Sequence, residues 1–113
     1  ASDACVHGNY FCAAYSACKR AVVLFTRALA LETAAFGVRV NAIAPGDILT
    51  PLTEAQLGTG EKREQSLQEM ASVYPLGRIG TAEEAAALIV FLASARASFV
   101  TGVVYSIDGG LTA

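Results

Sequence analysis

The sequence predicts an α/β fold with a parallel sheet, and three segments carry this prediction. The first is Tyr10–Phe36, a long stretch rich in alanine and leucine that contains neither proline nor glycine. The second is Val38–Ala44, an apolar run with imperfect alternation, and the third is a helical segment followed by the β-forming run Val103–Ile107. Helix, strand, further helices and strand in this order are typical of parallel α/β domains.

Tyr10–Phe36 is predicted to form one long helix. Leu24, Ala28 and Leu31 recur at helical spacing, and Gly37 follows as a suitable C-cap. The short, polar segment Ala1–Asn9 before it predicts the end of a strand and a loop.

Val38–Ala44 is predicted to be a strand that Pro45 and Gly46 end sharply. The following residues, 47–80, are the most polar part of the chain. They predict two short helices at Pro51–Leu57 and Glu61–Ser72, with the glycines between them as flexible points.

Thr81 and Glu84 form the sequence pattern of a capping box, which predicts a helix from this point to about Ser94. Val103–Ile107 then reads as a short strand, closed by a turn at Asp108–Gly110. Two strands cannot bury both faces of a sheet, so the pattern predicts partner strands that this chain does not contain.

Composition and charge exclude several function classes. The net charge of −2 over 113 residues gives no basic stripe for nucleic acid. The longest apolar run, Ala85–Ala93, is far shorter than the roughly 20 residues that a membrane span needs. Cys5, Cys12 and Cys18 form no C-x-x-C pair, which predicts reduced thiols, no metal site and a cytoplasmic protein.

The pattern with the clearest chemistry is Tyr15 followed four residues later by Lys19. On a helix these positions lie one turn apart on the same face, so a phenol and an ammonium group become neighbours. A nearby positive charge favours tyrosinate, and such a phenol can exchange a proton with an alcohol or carbonyl oxygen. The pair alone is a weak signal, because an isolated Tyr/Lys pair is usually a solvated helix face.

The surrounding motifs strengthen this signal when they are taken in chain order. Ser2 lies thirteen residues before Tyr15, and Asn41–Gly46 follows with Thr50 four residues beyond it. Pro75–Arg78 then precedes the capped helix, and the chain ends near Asp108–Gly110. In this order the motifs resemble the C-terminal half of the short-chain dehydrogenase/reductase family over essentially all 113 residues.

The resemblance implies a fold, an activity and site residues. The fold would be the C-terminal half of a Rossmann-like, doubly wound parallel sheet, with residues 1–113 as part of an NAD(P)-binding domain whose N-terminal half is absent. The activity would be hydride transfer between NAD or NADP and a small alcohol or carbonyl substrate, in a homotetramer. The implied catalytic residues are Ser2, Tyr15 and Lys19, and the implied cofactor-binding residues are Tyr15, Lys19, Pro45, Gly46, Ile48 and Thr50.

Some positions depart from the family or leave alternatives open. Asp47 stands where relatives often carry an apolar residue, and Thr50 could equally be the N-cap of a helix starting at Pro51. The family's glycine-rich phosphate turn and its catalytic asparagine do not occur in this chain. The choice between NAD and NADP therefore stays open.

Substrate and activity also leave alternatives open. A 3-oxoacyl reductase and a sugar or polyol dehydrogenase are both compatible with the resemblance. One alternative function is an inactive fragment that acts only in subunit association through its long apolar helix. Another is a small α/β binding module with no redox role.

Overall fold

The structure of the chain is a computed structural model that describes residues 1–5 and 10–113. Its longer elements alternate between helix and parallel strand. The helices are α1 (Ala13–Thr33), α2 (Pro51–Leu57), α3 (Gly60–Ser72) and α4 (Ala82–Ala93), and the strands are β1 (Ala42–Pro45), β2 (Ile48–Leu49), β3 (Gly80–Thr81) and β4 (Val104–Ile107). Short 3-10 turns cover Asp3–Cys5, Ala34–Phe36 and Ala95–Ala97.

The strands pair in two parallel ladders. β1 pairs with β4, with Ala42 beside Val104 and Pro45 beside Ile107. β2 pairs with β3 in a two-residue ladder that the sequence did not predict. Both ladders join segments far apart in the chain, so they bring the turn after β1 close to the segment that leads into α4.

The predicted long helix is confirmed, with a later start. α1 begins at Ala13 rather than Tyr10, because Phe11 adopts a left-handed backbone with φ 60° that cannot continue a helix. At the other end a 3-10 turn extends α1 to Phe36, and Gly37 closes it at φ 72° as predicted. Ahead of α1 the predicted strand end is wrong, since Asp3–Cys5 forms a 3-10 turn; residues 6–9 lie outside the described residues.

The predicted strand Val38–Ala44 is shorter and later in the structure, where β1 covers Ala42–Pro45. Ahead of β1, side chains replace part of the backbone ladder. Asn41 donates from Nδ2 to the Val100 carbonyl at 2.8 Å and accepts from the Val103 amide at 3.1 Å. These side-chain bonds, together with the backbone bonds from Ala42 to Val103 and from Gly102 to Val40, hold the start of β1 to the loop before β4.

Two side-chain devices fix the ends of α4. The predicted capping box is present, because Thr81 accepts from the Glu84 amide at 3.2 Å and Glu84 accepts from the Thr81 amide at 2.9 Å. At the other end Arg39 donates to the carbonyls of Leu92, at 2.7 Å, and Ser94, at 3.1 Å. These bonds satisfy carbonyls that a helix end leaves without partners.

The core lies where α1 and the first turn pack on the larger ladder. Cys5, Val23 and Ala44 form a buried cluster, with Val104 packed against it. Leu24 and Leu31, on the same helix as Val23, are 58% and 82% exposed. α1 therefore buries one face in this chain and leaves another apolar face open.

Within residues 1–5 and 10–113, no helix combines the length and the apolar character that a membrane crossing requires.

Candidate active site

The first two turns of α1 place Tyr15 and Lys19 on one helix face, as their spacing predicts. The Lys19 ammonium nitrogen lies 5.2 Å from the centroid of the Tyr15 ring. Tyr15 is 49% exposed, while Lys19 is half-buried. In the part of the chain that the structure describes, the Lys19 ammonium makes no hydrogen bond or ion pair, so its three donors are available to a ligand.

Ser2 and Tyr15 line the same cleft, which has about 390 Å³ of accessible space. That volume is in the range of small-molecule sites. Asp3, Ala4 and Cys12, close to Ser2 and Tyr15 in the chain, also line the cleft, and three other parts of the chain contribute Asp47, Val73, Tyr74 and Leu111. The fold therefore brings together two hydroxyl groups that the sequence separates by thirteen residues.

Ser2 is almost fully buried and is held by its neighbours. Its hydroxyl donates to the Asp3 carboxylate at 2.8 Å and accepts from the Ala4 amide at 3.3 Å. Asp3 also accepts from the Ala4 amide, at 2.7 Å. In this arrangement the Ser2 proton is engaged and the oxygen has acceptor capacity left, which suits a substrate that presents a hydroxyl.

The other sequence-predicted residues lie around the turn after β1. Among the described residues, Pro45, Ile48 and Thr50 do not line the cleft with Ser2 and Tyr15. Pro45 is the last residue of β1, and Ile48 pairs with Gly80 in the smaller ladder.

Thr50 is the N-cap of α2, which was the alternative interpretation of this residue. Its hydroxyl accepts from the Thr53 amide at 3.3 Å, and Pro51 follows as the first helical residue. The Thr53 hydroxyl in turn donates to the Ile48 carbonyl at 2.7 Å. Thr50 thus has a structural role at the start of α2.

Tyr74 is a site residue that sequence reasoning missed. Its side chain is 5% exposed, and its hydroxyl accepts from the Asp47 amide at 2.7 Å. A Cβ at Gly46 would lie 2.8 Å from Tyr74 Cε1, so the turn needs glycine because the tyrosine ring occupies that space. Burial, more than any other cause, raises the pKa of Tyr74 to about 12. Tyr74 therefore stays a neutral phenol at physiological pH.

Two observations test whether these residues fit a nicotinamide cofactor. The unpartnered ammonium of Lys19, next to Tyr15, fits a ligand that offers hydroxyl acceptors, such as a ribose. Gly46 gives no separate support, because Tyr74 fills the space that its missing side chain leaves.

Among the described residues no cluster of histidine, cysteine and carboxylate side chains could hold a metal ion.

Comparison with known proteins gives consistent matches along the whole chain. Residues 1–112 match the family model described as enoyl-(acyl carrier protein) reductase. The chain is 43% identical over 102 residues to 2-(S)-hydroxypropyl-CoM dehydrogenase 3 of Xanthobacter autotrophicus, covering 89% of this chain and 40% of that protein. It is 44% identical over 106 residues to the 3-oxoacyl-(acyl-carrier-protein) reductase of Thermotoga maritima, covering 94% of this chain and 41% of that protein.

A solved structure extends these matches to the fold. L-sorbose reductase from Gluconobacter frateurii, complexed with NADPH and L-sorbose, superposes with a TM-score of 0.91 at 34% identity, over 98% of this chain and 44% of that one. The predicted Rossmann-like α/β class is thereby confirmed. The chain spans about two fifths of the length of the curated relatives it matches.

Proposed function

This chain belongs to the short-chain dehydrogenase/reductase family, and from this premise we propose that it carries the catalytic part of an NAD(P)-dependent oxidoreductase. The single observation that carries the proposal is the shared cleft of Ser2 and Tyr15, with the unpartnered Lys19 ammonium beside the Tyr15 ring. We further propose that residues 1–113 are part of one nicotinamide-binding domain, because the chain covers two fifths of its relatives.

Tyr15 is the proposed proton donor and acceptor. In reduction its hydroxyl protonates the substrate oxygen, and in oxidation the tyrosinate accepts the proton from the substrate hydroxyl. The Lys19 ammonium, which lies beside the Tyr15 ring, donates hydrogen bonds to the ribose hydroxyls of the cofactor. The hydride itself is the chemistry that bound NAD or NADP supplies.

Ser2 orients the substrate oxygen next to Tyr15. Both residues line the same cleft, which is the observation that supports this role. With its proton held by Asp3, Ser2 accepts a hydrogen bond from a substrate hydroxyl and so positions that hydroxyl for proton transfer. Pro45, Gly46, Ile48 and Thr50 are proposed to shape the turn that borders the nicotinamide, and Tyr74 supports that turn through Asp47.

Two substrate classes follow from the relatives. One relative is a 3-oxoacyl-(acyl-carrier-protein) reductase and one solved structure is an L-sorbose reductase complexed with NADPH and L-sorbose, so we propose an alcohol or carbonyl substrate of either class. The proposed assembly is a homotetramer, in which the exposed apolar face of α1, with Leu24 and Leu31, would contact another subunit. Three free cysteines fit a reducing compartment, and the proposed location is the cytoplasm.

The experiment that tests this function measures turnover of the complete enzyme. NADH and NADPH are each combined with L-sorbose and with acetoacetyl-CoA, and nicotinamide absorbance is followed. Oxidation of either cofactor that depends on one of these substrates supports the proposal. Absence of both turnover and cofactor binding, in a protein that still assembles, would support the alternative of subunit association alone.

A further inference from the structure

We propose that Asp47 selects the substrate, by accepting hydrogen bonds from the hydroxyl groups of a neutral polyhydroxy compound and by repelling substrates that carry a carboxylate. This inference rests on the proposed oxidoreductase function, because it concerns the same cleft. It goes further by choosing sugars and polyols over anionic carbonyl compounds.

Asp47 belongs to the cleft that holds the two proposed catalytic hydroxyls. It follows Gly46 in the turn after β1, it is exposed, and it lines the cleft together with Ser2 and Tyr15. A substrate with its reacting oxygen at Tyr15 therefore shares this cleft with the Asp47 carboxylate.

Tyr74 fixes the backbone that carries this carboxylate. Its hydroxyl accepts from the Asp47 amide at 2.7 Å, and its ring packs where a side chain at position 46 would lie. The Asp47 carbonyl is held as well, because it accepts from the Gly80 amide at 2.9 Å. With both its amide and its carbonyl bonded, Asp47 presents its side chain from a rigid position, which lowers the entropic cost of binding a ligand there.

The Asp47 carboxylate forms no ion pair with residues 1–5 and 10–113, and this separates it from the other charged groups nearby. The neighbouring Tyr74 hydroxyl can fill one of its roughly four acceptor positions, which leaves the others for a ligand. Asp3 lines the same cleft, but its carboxylate already accepts from the Ser2 hydroxyl and the Ala4 amide. Arg78 shares a small neighbouring cavity with Asp47, but both of its terminal nitrogens are bonded to Glu84, at 2.6 and 2.9 Å.

The chemistry of a carboxylate with free acceptor positions limits what it can recognise. An ionised carboxylate only accepts hydrogen bonds, so it takes hydroxyl or amine donors and no carbonyl or carboxylate oxygen. Two carboxylates in one cleft, Asp3 and Asp47, also repel an anionic substrate. Polyols and ketoses satisfy both conditions, because they are neutral and carry hydroxyls on the carbons next to the reacting one.

The test uses two substrates with one carbon skeleton. L-sorbose is a neutral ketohexose, and 5-keto-D-gluconate replaces its terminal hydroxymethyl group with a carboxylate. Both are reduced by the complete enzyme with its preferred cofactor, and kcat and KM are measured separately. Wild-type enzyme is expected to favour L-sorbose in kcat/KM.

Asp47→Ala is expected to act mainly on KM. The KM for L-sorbose rises about 10- to 100-fold, the change expected for loss of hydrogen bonds to a charged group, and kcat/KM for 5-keto-D-gluconate rises. Tyr74→Phe, which keeps the ring but removes the hydroxyl that holds Asp47, gives a smaller rise in the KM for L-sorbose. Glu69, an exposed carboxylate on α3 outside the cleft, provides the matched control. Glu69→Ala should change neither kcat nor KM for either substrate.

Three results would overturn the inference: an unchanged substrate ratio in Asp47→Ala, an equal change in Glu69→Ala, or a wild-type enzyme that reduces acetoacetyl-CoA but not L-sorbose. The last result would leave the proposed oxidoreductase function intact. Failure of that function looks different, because wild-type enzyme would then turn over none of the three substrates with either cofactor.

Discussion

Lys19 and Arg78 are both cations near the candidate site, and the structure uses them in opposite ways. Arg78 forms a two-nitrogen pair with Glu84 and donates to the Ile79 carbonyl at 3.2 Å. Lys19 lies over the Tyr15 ring and makes no polar contact with any other described residue. The difference indicates that Arg78 stabilises the segment leading into α4, whereas Lys19 is available to a ligand.

The carboxylates show the same contrast. Asp108, after β4, is buried and accepts from the Gly110 amide at 3.1 Å and the Thr112 amide at 3.2 Å. Asp47, after β1, is exposed, forms no ion pair within the described ranges and has only a neutral phenol, Tyr74, assigned as a contact of its carboxylate. We therefore expect that replacing a charged side chain with hydrogen-bonding partners inside the chain lowers the free energy of unfolding. Replacing one that forms no ion pair should instead change ligand binding.

Replacing Lys19 should give a large change in ligand affinity with little change in stability, which is the largest difference expected among these variants. Lys19→Ala is expected to raise the Kd for NADH or NADPH about 10- to 100-fold, because charged hydrogen bonds to the ribose are lost, and to lower kcat. The denaturation midpoint should change little, since only a contact with the Tyr15 ring is lost. Calorimetric titration and urea unfolding measure the two quantities.

Lys62→Ala is the matched control for Lys19, because Lys62 is the only other lysine and is exposed on α3. It should leave cofactor affinity unchanged. An unchanged Kd in Lys19→Ala, or an equal loss in Lys62→Ala, would argue against the ribose contact.

Arg39 should show the opposite behaviour to Lys19. Arg39→Ala removes hydrogen bonds to Leu92 and Ser94 at the end of α4, so we expect a loss of about 1–3 kcal/mol in unfolding free energy with cofactor affinity retained. Arg27→Ala, on the exposed face of α1, should cost less than about 0.5 kcal/mol and serves as the control. A similar loss of unfolding free energy in both variants would show that the Arg39 hydrogen bonds at the end of α4 do not stabilise the fold.

The smallest expected effect concerns the pH dependence of the Arg78–Glu84 pair. Hydrogen bonds from Arg78, and then from the Thr81 amide, lower the pKa of Glu84 from its usual 4.5 to about 2. Because the folded-state pKa is the lower one, the stabilisation is complete above about pH 4.5 and is lost as the pH falls towards 2. The pair is exposed, so its contribution is small and weakens with salt.

Urea midpoints measured between pH 7 and pH 2 check this expectation. Glu84→Gln should have a lower midpoint than wild type at pH 7, and the difference should shrink as the medium becomes acidic. Glu83→Gln, the neighbouring exposed carboxylate, controls for the loss of one negative charge near the start of α4. A difference between wild type and Glu84→Gln that is constant across this range would contradict the assigned pair.

The sequence predicted the elements that depend on local patterns. Gly37 ends α1 and the Thr81–Glu84 box starts α4 as expected, because caps depend on residues within one helical turn. The strand before Pro45 was placed too early, since Asn41 bonds to a loop about 60 residues away and no local pattern records that contact. The β2–β3 ladder was missed because two-residue strands have no measurable period.

The candidate site was predictable in part for a similar reason. The Tyr15 and Lys19 neighbourhood follows from helical spacing, and the closeness of Ser2 and Tyr15 followed from the family resemblance. Tyr74 was not predicted, because its contact with Asp47 joins positions 27 residues apart. The glycine at position 46 gave the only signal, and it does not reveal which side chain fills the space.

The most direct test of this account is the kinetic effect of Tyr15→Phe in the complete enzyme, with Tyr10→Phe, an exposed neighbour, as the control. We expect Tyr15→Phe to lower kcat at least about 100-fold with cofactor Kd nearly unchanged, because a positioned acid/base contributes about 10²- to 10⁴-fold. Tyr10→Phe should retain wild-type turnover. If Tyr15→Phe kept more than about a tenth of the wild-type kcat, Tyr15 would not be the proton-transferring group.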